Sequence, residues 1–486
     1  MHHLSSLFAV SLYLVILIMI GVSSHKKHLT STDFILGSRK MNFWLTALAA
    51  HASDMSGWIF MGYPAVIFTA GLFNVWVAVG LTFFMFLNWQ FVAPRLRIMT
   101  EKYGSLTLSS FFESRYSDTS GTLRIFTVLI SFIYYAIYIS ALLVGLGLLL
   151  ETLFGLSFIW GTTIGICIIV PYLFFGGYIT LAWTDLFQAI FLLCAIIFIP
   201  FYVLPSVGGW QGVQEAIALK ANYQPIFPDF TPKTLFSIFL VMTSWGLGYF
   251  GMPHVITKFM GINNVKEIPK SKWIGISWQI LSLSAATLVG LVAIAFFKDH
   301  TISDPQLVFV NMTLSTLPAF VAAFILCAIL GATITSMDSM ILVLASNLTE
   351  DFYKKVLRKN ATSRELLFVS RLSIIFIAIL AYILAYKSKS TVYAIVAYAW
   401  YGLGASFGPL ILFSLYSERV NRYGAWGGLI TGALVAGFWP FIATLIPLDM
   451  PALKDASLIP GFIISSFTIW AVSIITEKKK SNELML

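Results

Sequence analysis

Apolar residues fill most of the chain in runs of about 20, separated by short stretches where charge, proline and glycine collect. A run of about that length crosses a hydrocarbon core of about 30 Å as one helix. The pattern predicts thirteen helices, over residues 7–22, 43–68, 72–94, 124–151, 157–176, 183–204, 234–257, 273–297, 310–348, 367–386, 391–416, 423–445 and 457–476. The ninth run is too long for a single straight span, so its last turns project into the cytoplasm. The first, Phe8 to Val22, is followed by His25-Lys26-Lys27-His28 without a small-residue cleavage site, and reads as a retained span rather than a cleaved leader.

Loop charge tests this segmentation. Alternate loops hold 24 of the 30 basic residues, from Lys26 and Lys27 through Arg95, Arg97 and Arg124, Lys258 to Lys272, and Lys354 to Arg371, to Lys478–Lys480. The other set holds six: Lys220, Lys233, Lys298, Lys387, Lys389 and Lys454. A missed helix would scramble that alternation. By the excess of Lys and Arg on the cytoplasmic side, the N-terminus is expected outside and the C-terminus inside. The longest external loop, 206–233, carries Gly208, Gly209, Trp210, Pro225, Pro228 and Pro232 and is expected to form a partial lid.

Composition agrees. Hydrophobic residues make up 58% of the 486 residues and charged ones 10%, against about 25% charged in soluble domains, so lipid must be the solvent. The net charge of +9 follows from the basic loops and needs no nucleic-acid partner. Cys167, Cys194 and Cys327 each lie in an apolar segment, with neither disulfide nor metal spacing. We find no phosphate-cradling glycine motif, nucleophile elbow or HExxH, so an enzyme lacks its convergent groups. A passive channel would need a continuous polar stripe, and a sensor would need a signalling domain. Neither is visible.

Three places break the apolar pattern. Residues 51–58, His-Ala-Ser-Asp-Met-Ser-Gly-Trp, set a carboxylate, two hydroxyls and a glycine inside the second run. Ser and Asp compete for backbone bonds and Gly57 is permissive, so either the helix unwinds and frees carbonyls for a small cation, or a polar face packs with Asp54 paired. In the seventh run, Gly246, Gly248, Gly251 and Pro253 interrupt any helix, while Trp245 and Tyr249 share a face wherever it persists. Aromatic faces beside free backbone suit a compact zwitterion; packing in a kinked helix is the alternative, and His254 fits a helix end better than a metal. In the ninth run Ala332, Thr335, Ser336 and Ser339 fall on one face, and their neutral oxygens suit a weakly held Na⁺ unless they bond back to their own helix. Asp185, in Trp183-Thr184-Asp185, either caps its helix or serves a site. The second and seventh runs are five apart. Broken helices at matching positions of two halves point to an inverted-repeat transporter with its site near the midplane, with halves 43–204 and 234–416, an additional first helix 7–22 and two C-terminal helices within 423–476.

The strings Ala-Ser-Asp-Met-Ser-Gly-Trp (52–58), Trp-Thr-Asp (183–185), Ser-Trp-Gly-Leu-Gly-Tyr-Phe-Gly-Met-Pro-His (244–254), Thr-Glu-Asp-Phe-Tyr-Lys (349–354) and Tyr-Ala-Trp-Tyr-Gly-Leu-Gly-Ala-Ser-Phe-Gly-Pro (398–409) resemble the solute:sodium symporter family over roughly residues 5–475. The resemblance implies an all-α, leucine-transporter-type 5+5 inverted repeat in the cell inner membrane. It also implies sodium-coupled import of proline or a similar small amino acid by alternating access, with Na⁺ as coupling ion and lipid as surroundings. It places Na⁺ on the carbonyls of Ala52, Met55 and Ala332 and the hydroxyls of Thr335 and Ser336, supported by Asp54. Substrate would lie against Ser56, Gly57, Tyr138, Trp245, Tyr249 and Pro253, and the Asp185 region would bear on ion coupling. Two positions depart from the pattern of the proline-carrying members: Met252 stands in place of glutamine, and Asp338 in place of a small hydroxyl residue. Met252 leaves open another amino acid, a carboxylate or a betaine-like solute. Asp338 leaves open a second cation site with Asp185, or H⁺ coupling.

Overall fold

The computed structural model describes residues 2–24, 35–175, 178–299, 302–387, 390–445, 454 and 456–483. Residues 25–28 and Lys389, and the side chains of Lys478–Lys480, lie outside the described residues. Among the described residues eleven helices are long and apolar enough to cross a membrane, and two shorter apolar stretches, Gly57–Ala70 and Phe158–Val170, accompany them.

The chain begins with α1 (His2–Ser24). The second run is not one helix: α2 (Phe43–Asp54) stops, and α3 (Gly62–Ala70) resumes after a short 3₁₀ turn. Next come α4 (Val75–Leu87), a π turn over Asn88–Val92, α5 (Ala93–Lys102) and α6 (Leu108–Arg115). The first half closes with α7 (Thr122–Phe154), α8 (Phe158–Phe175) and α9 (Tyr178–Val203). The segment expected as the longest external loop and a partial lid carries α10 (Gly209–Leu219). The seventh run is again divided, into α11 (Pro232–Gly246) and α12 (Pro253–Met260). Then follow α13 (Ile268–Phe296), α14 (Val308–Thr316), α15 (Ala319–Ser346), α16 (Ser363–Lys387), α17 (Val392–Tyr416), α18 (Arg422–Leu445) and α19 (Leu458–Glu483). The overlong ninth run is thus two helices: Pro318 caps α15 in extended conformation, and a π-helical extension carries α15 to Leu357.

Burial sorts these helices. The most apolar stretches of Val392–Tyr416, Thr122–Phe154 and Ala319–Leu357 are 89%, 83% and 78% buried, against 28% for α1. So α7, α15 and α17 form the interior. α1 packs on α9 and α15, and turns Leu4, Phe8 and Ile18 outward. In a bilayer such residues meet acyl chains as apolar as themselves.

Two short backbone pairings lock the divided helices together. Beyond the end of α3, the Phe73 N–H donates to the Gln224 carbonyl (3.1 Å) and the Gln224 N–H to the Ala70 carbonyl (3.0 Å). Gly71 permits this approach: its φ is +97°, and a Cβ there would sit 2.6 Å from the Gln224 backbone. At the start of α2, Met41 pairs with the chain leaving α12, through Met41 N–H to Gly261 O (3.1 Å) and Asn263 N–H to Met41 O (2.8 Å). The entry to one divided helix therefore neighbours the exit of the other, and α2–α3 runs antiparallel to α11–α12.

Four basic residues expected in loops, Arg97, Arg124, Lys258 and Lys272, are instead buried on helices. Each has a polar partner that the sequence pattern could not show. Arg124 is held by Asp351 (2.7 Å) and by Glu113, and Thr107 donates to the same Asp351 oxygen (3.1 Å). Arg97 pairs with Glu101 (2.7 Å).

Candidate functional site

The site is made by the two breaks. In α2 the helix holds to Asp54, and Ser56 then leaves helical space at φ −20°, ψ −174°. Carbonyls in the last turn of α2 lose their next-turn donors, as at any helix end. One of them, Ala52 O, is met by α15: Thr335 Oγ1 lies 3.0 Å from Ala52 O and 3.0 Å from Ala332 O, and donates to them. Ser336 Oγ, fully buried beside them, has no hydrogen-bond partner among the described residues. The polar residues therefore resolve into a true break rather than a polar helix face. The structure brings Ala52, Ala332 and Thr335 to one place between α2 and α15, with Ser336 next to Thr335 in the chain and Met55 at the C-cap of α2. Neutral carbonyl and hydroxyl oxygens are what a hard, weakly held monovalent cation takes.

Asp54 is held from the other break. Its Oδ2 accepts from Tyr249 Oη (2.5 Å), and that hydroxyl accepts from Gln279 Nε2 (3.1 Å), while Asn88 Nδ2 donates to the Tyr249 carbonyl (3.0 Å). Tyr249 belongs to a 3₁₀ segment, Leu247–Gly251, so it diverges from Trp245 rather than sharing its face. The two instead bracket Trp400, whose ring lies 5.2 Å from Tyr249 and 6.4 Å from Trp245 and whose Nε1 donates to Trp245 O (2.9 Å).

Trp245 is the centre of an aromatic box. Trp58 stacks on it at 5.8 Å, with Tyr393 at 5.0 Å and Tyr401 at 5.6 Å. Ser56 and Gly57 lead into Trp58, and a Cβ on Gly57 would lie 3.1 Å from Thr333 Oγ1 on α15. Tyr138, from α7, is fully buried beside Ser56 and Asp54, and its hydroxyl has no partner among the described residues. Pro253 opens α12. It lines a cavity with His254, Thr257, Lys258, Tyr178 and Ser339 on the far side of the break. His254 serves a helix end: Tyr135 Oη accepts from its backbone N–H (2.9 Å) and meets its Nδ1 (3.0 Å). Met252, extended and fully buried, joins the two halves of the break.

Asp185 does not cap α9. It lies within that helix, fully buried, and its Oδ2 accepts from Lys258 Nζ at 3.0 Å. Asp338 is also fully buried; its Oδ1 accepts from Ser339 Oγ (3.2 Å). Sequence reasoning missed Lys258, Gln279, Asn88 and Trp400. Gln279 was visible as a polar interruption of the eighth run, whereas Lys258 was hidden by its place at a run's end.

Divided antiparallel helices with free backbone and a polar–aromatic box at their breaks are the arrangement of a polytopic transport protein. The profile of the sodium:solute symporter family matches residues 34–432, and the chain belongs to that family. It is 37% identical over 467 residues to the high-affinity proline transporter PutP of Bacillus subtilis (strain 168), covering 95% of this chain and 96% of the relative. It is also 37% identical over 480 residues to the sodium/proline symporter of Staphylococcus aureus (strain JH9), covering 96% and 92%. Among solved structures, the substrate-bound, outward-open state of a Na⁺-coupled sialic acid symporter superposes with a TM-score of 0.79 at 17% identity, over 96% of this chain and 97% of that one. At that identity the likeness carries the fold, which is of the leucine-transporter type. The protein is a multi-pass membrane protein.

Proposed function

We propose that the protein imports proline together with Na⁺ by alternating access. The observation that carries this reading is the meeting of Ala52 O, Ala332 O and Thr335 Oγ1 across two helices, with a buried Ser336 hydroxyl alongside. Na⁺ takes these oxygens, and the Met55 carbonyl, as ligands; the Thr335 proton rotates away and the ion bridges α2 and α15 in its place. Asp54, held by Tyr249, supplies negative charge nearby without ligating. Substrate lies between Ser56, Gly57, Tyr138, Trp245, Tyr249 and Pro253, its ring against the aromatic box. Because Asp54 and Tyr249 join the ion side to the solute side, filling one site orders the other, and this linkage is reciprocal. The names of the two relatives support proline as solute.

On this reading 43–204 and 234–416 are the inverted repeats, and the antiparallel pairing of α2–α3 with α11–α12 supports them. The N-terminus faces outside and the C-terminus the cytoplasm, so that Na⁺ enters down the potential. An ion crossing about 100 mV releases about 2.3 kcal/mol, enough for roughly fiftyfold solute accumulation. No chemical conversion takes place. The test is equilibrium binding of radiolabelled proline to the purified protein in Na⁺ and in choline: saturable binding that needs Na⁺ supports the reading, and its absence in both sinks it.

A second reading rests on Met252, buried at the junction where the pattern of proline-carrying members has glutamine. It keeps the fold and the ion and changes the solute to another small amino acid, a carboxylate or a betaine-like compound, or adds H⁺ through Asp338. Competition by a panel of unlabelled solutes separates the two.

A further inference from the structure

One buried charged group of the site region has been given no role above. Lys258, on α12, keeps 3% of its side chain exposed and lies in the interior, and its ammonium sits 3.0 Å from Asp185 Oδ2 on α9 and 5.4 Å from the Tyr178 ring. Asp185 Oδ1 has no hydrogen-bond partner among the described residues. Asp338, on α15, has the same kind of orphan in Oδ2, and α15 packs against both α9 and α12. Three helices thus bring two carboxylates and one ammonium into a space closed to solvent, one turn along α15 from Thr335 and Ser336. Buried carboxylates on facing helices need a cation or a proton, because unpaired charge in such surroundings is far too costly. Here the cation is covalently attached.

We propose that the Lys258 ammonium is a tethered counter-ion that takes the place a second free Na⁺ would need between Asp185 and Asp338, so that a single Na⁺ binds the protein. The proposal deepens the Na⁺-coupled reading given above and rests on it for the ion, though not for the solute. A lysine stem reaches its position from α12, the inner half of a divided helix. The counter-ion therefore moves with that helix and cannot be released to either side.

The consequence is specific. Removing the ammonium while keeping both carboxylates opens a cation position, and the smallest available cation in a sodium medium fills it. Lys258→Ala and Lys258→Met, the latter preserving the apolar stem, are expected to bind two ²²Na⁺ per protein where the unmodified protein binds one. The Hill coefficient for Na⁺ should rise from about 1 toward about 2. Lys258→Arg retains a fixed cation and should stay at one. Binding is read by scintillation proximity on purified protein without any solute, so an error about proline would leave this result unchanged. Two Na⁺ bound to the unmodified protein would overturn the proposal, as would one Na⁺ of unaltered affinity in well-folded Lys258→Ala. Should neither Lys258→Ala nor Lys258→Met fold, Lys258→Gln, which keeps a long stem and a polar, uncharged end, takes their place: two bound Na⁺ support the tethered ion, and one of unaltered affinity refutes it.

Discussion

Ser336 and Thr335 are neighbours with the same proposed role, yet their hydroxyls stand in different states, and this predicts different costs. Ser336 Oγ is buried without a partner among the described residues, so Ser336→Ala removes nothing from the ion-free protein. In the loaded protein it removes one oxygen from the ion. Polar contacts to a charged group are worth about 1.5–3 kcal/mol. At about 1.4 kcal/mol per decade, the Na⁺ concentration for half-maximal uptake should rise about 10- to 150-fold. Thr335→Ala removes the same kind of ligand, but also the bond that ties Ala52 O and Ala332 O in the ion-free state. That loss, about 1 kcal/mol, raises the ion-free ground state and offsets part of the penalty. Thr335→Ala should therefore shift the Na⁺ requirement about fivefold less than Ser336→Ala. The assay is initial solute uptake against Na⁺ concentration at saturating solute, normalised to protein in the membrane. Half-saturation within twofold of the unmodified protein in both variants would refute the ion site. A shift in Thr335→Ala alone would remove Ser336 from it.

Three further outcomes follow from the same bonds. Tyr249→Phe strips the buried Asp54 carboxylate of its donor, a loss of about 1.5–3 kcal/mol, and should weaken Na⁺ and solute together in paired titrations; a change in one without the other would deny that Tyr249 links them. Arg124→Ala leaves Asp351 buried and unpaired and should cost about 3–5 kcal/mol in thermal unfolding of the detergent-solubilised protein, while Arg124→Ala with Asp351→Asn should recover most of it. Asp118 precedes α7 and accepts from the Leu123 N–H (2.9 Å) and the Ser120 N–H (3.1 Å). Burial alone would raise its carboxyl, but the Ser120 side chain and these N–H groups outweigh it and hold it below the usual carboxylate range. A depressed group contributes stability above its unfolded value, near 3.9, and loses it as pH falls through the lower folded value. Asp118→Ala should thus cost about 1 kcal/mol at neutral pH and nothing in strong acid, read as unfolding temperature against pH.

Much of this architecture was legible because helix breaking is local chemistry. Ser53, Asp54, Ser56 and Gly57 in one apolar run, and Gly246, Gly248, Gly251 and Pro253 in another, are poor helix interior wherever they stand. Both breaks lie where those residues stand. The face of Thr335 and Ser336 was likewise visible, since helical spacing is fixed within one element. What stayed hidden are pairings between elements. Lys258 reads as a loop charge at the end of its run, and nothing in the run says that Asp185, some seventy residues earlier, waits to receive it. Trp400 and Gln279 come to Tyr249 from helices remote in sequence, so no periodicity could join them. The shared face of Trp245 and Tyr249 was expected only where the helix persists, and Leu247–Gly251 is a 3₁₀ segment, in which spacing of four does not imply one. The division of the ninth run at Pro318 was missed for a simpler reason: the apolar pattern continues through it.

The account's central claim is tested most directly by uptake of radiolabelled proline into proteoliposomes holding the purified protein. An inward Na⁺ gradient with the interior negative should drive accumulation above equilibrium, collapse when the gradient is dissipated, and fall to background when choline replaces Na⁺. Accumulation that is equal in choline, or no proline uptake under any gradient, would contradict it.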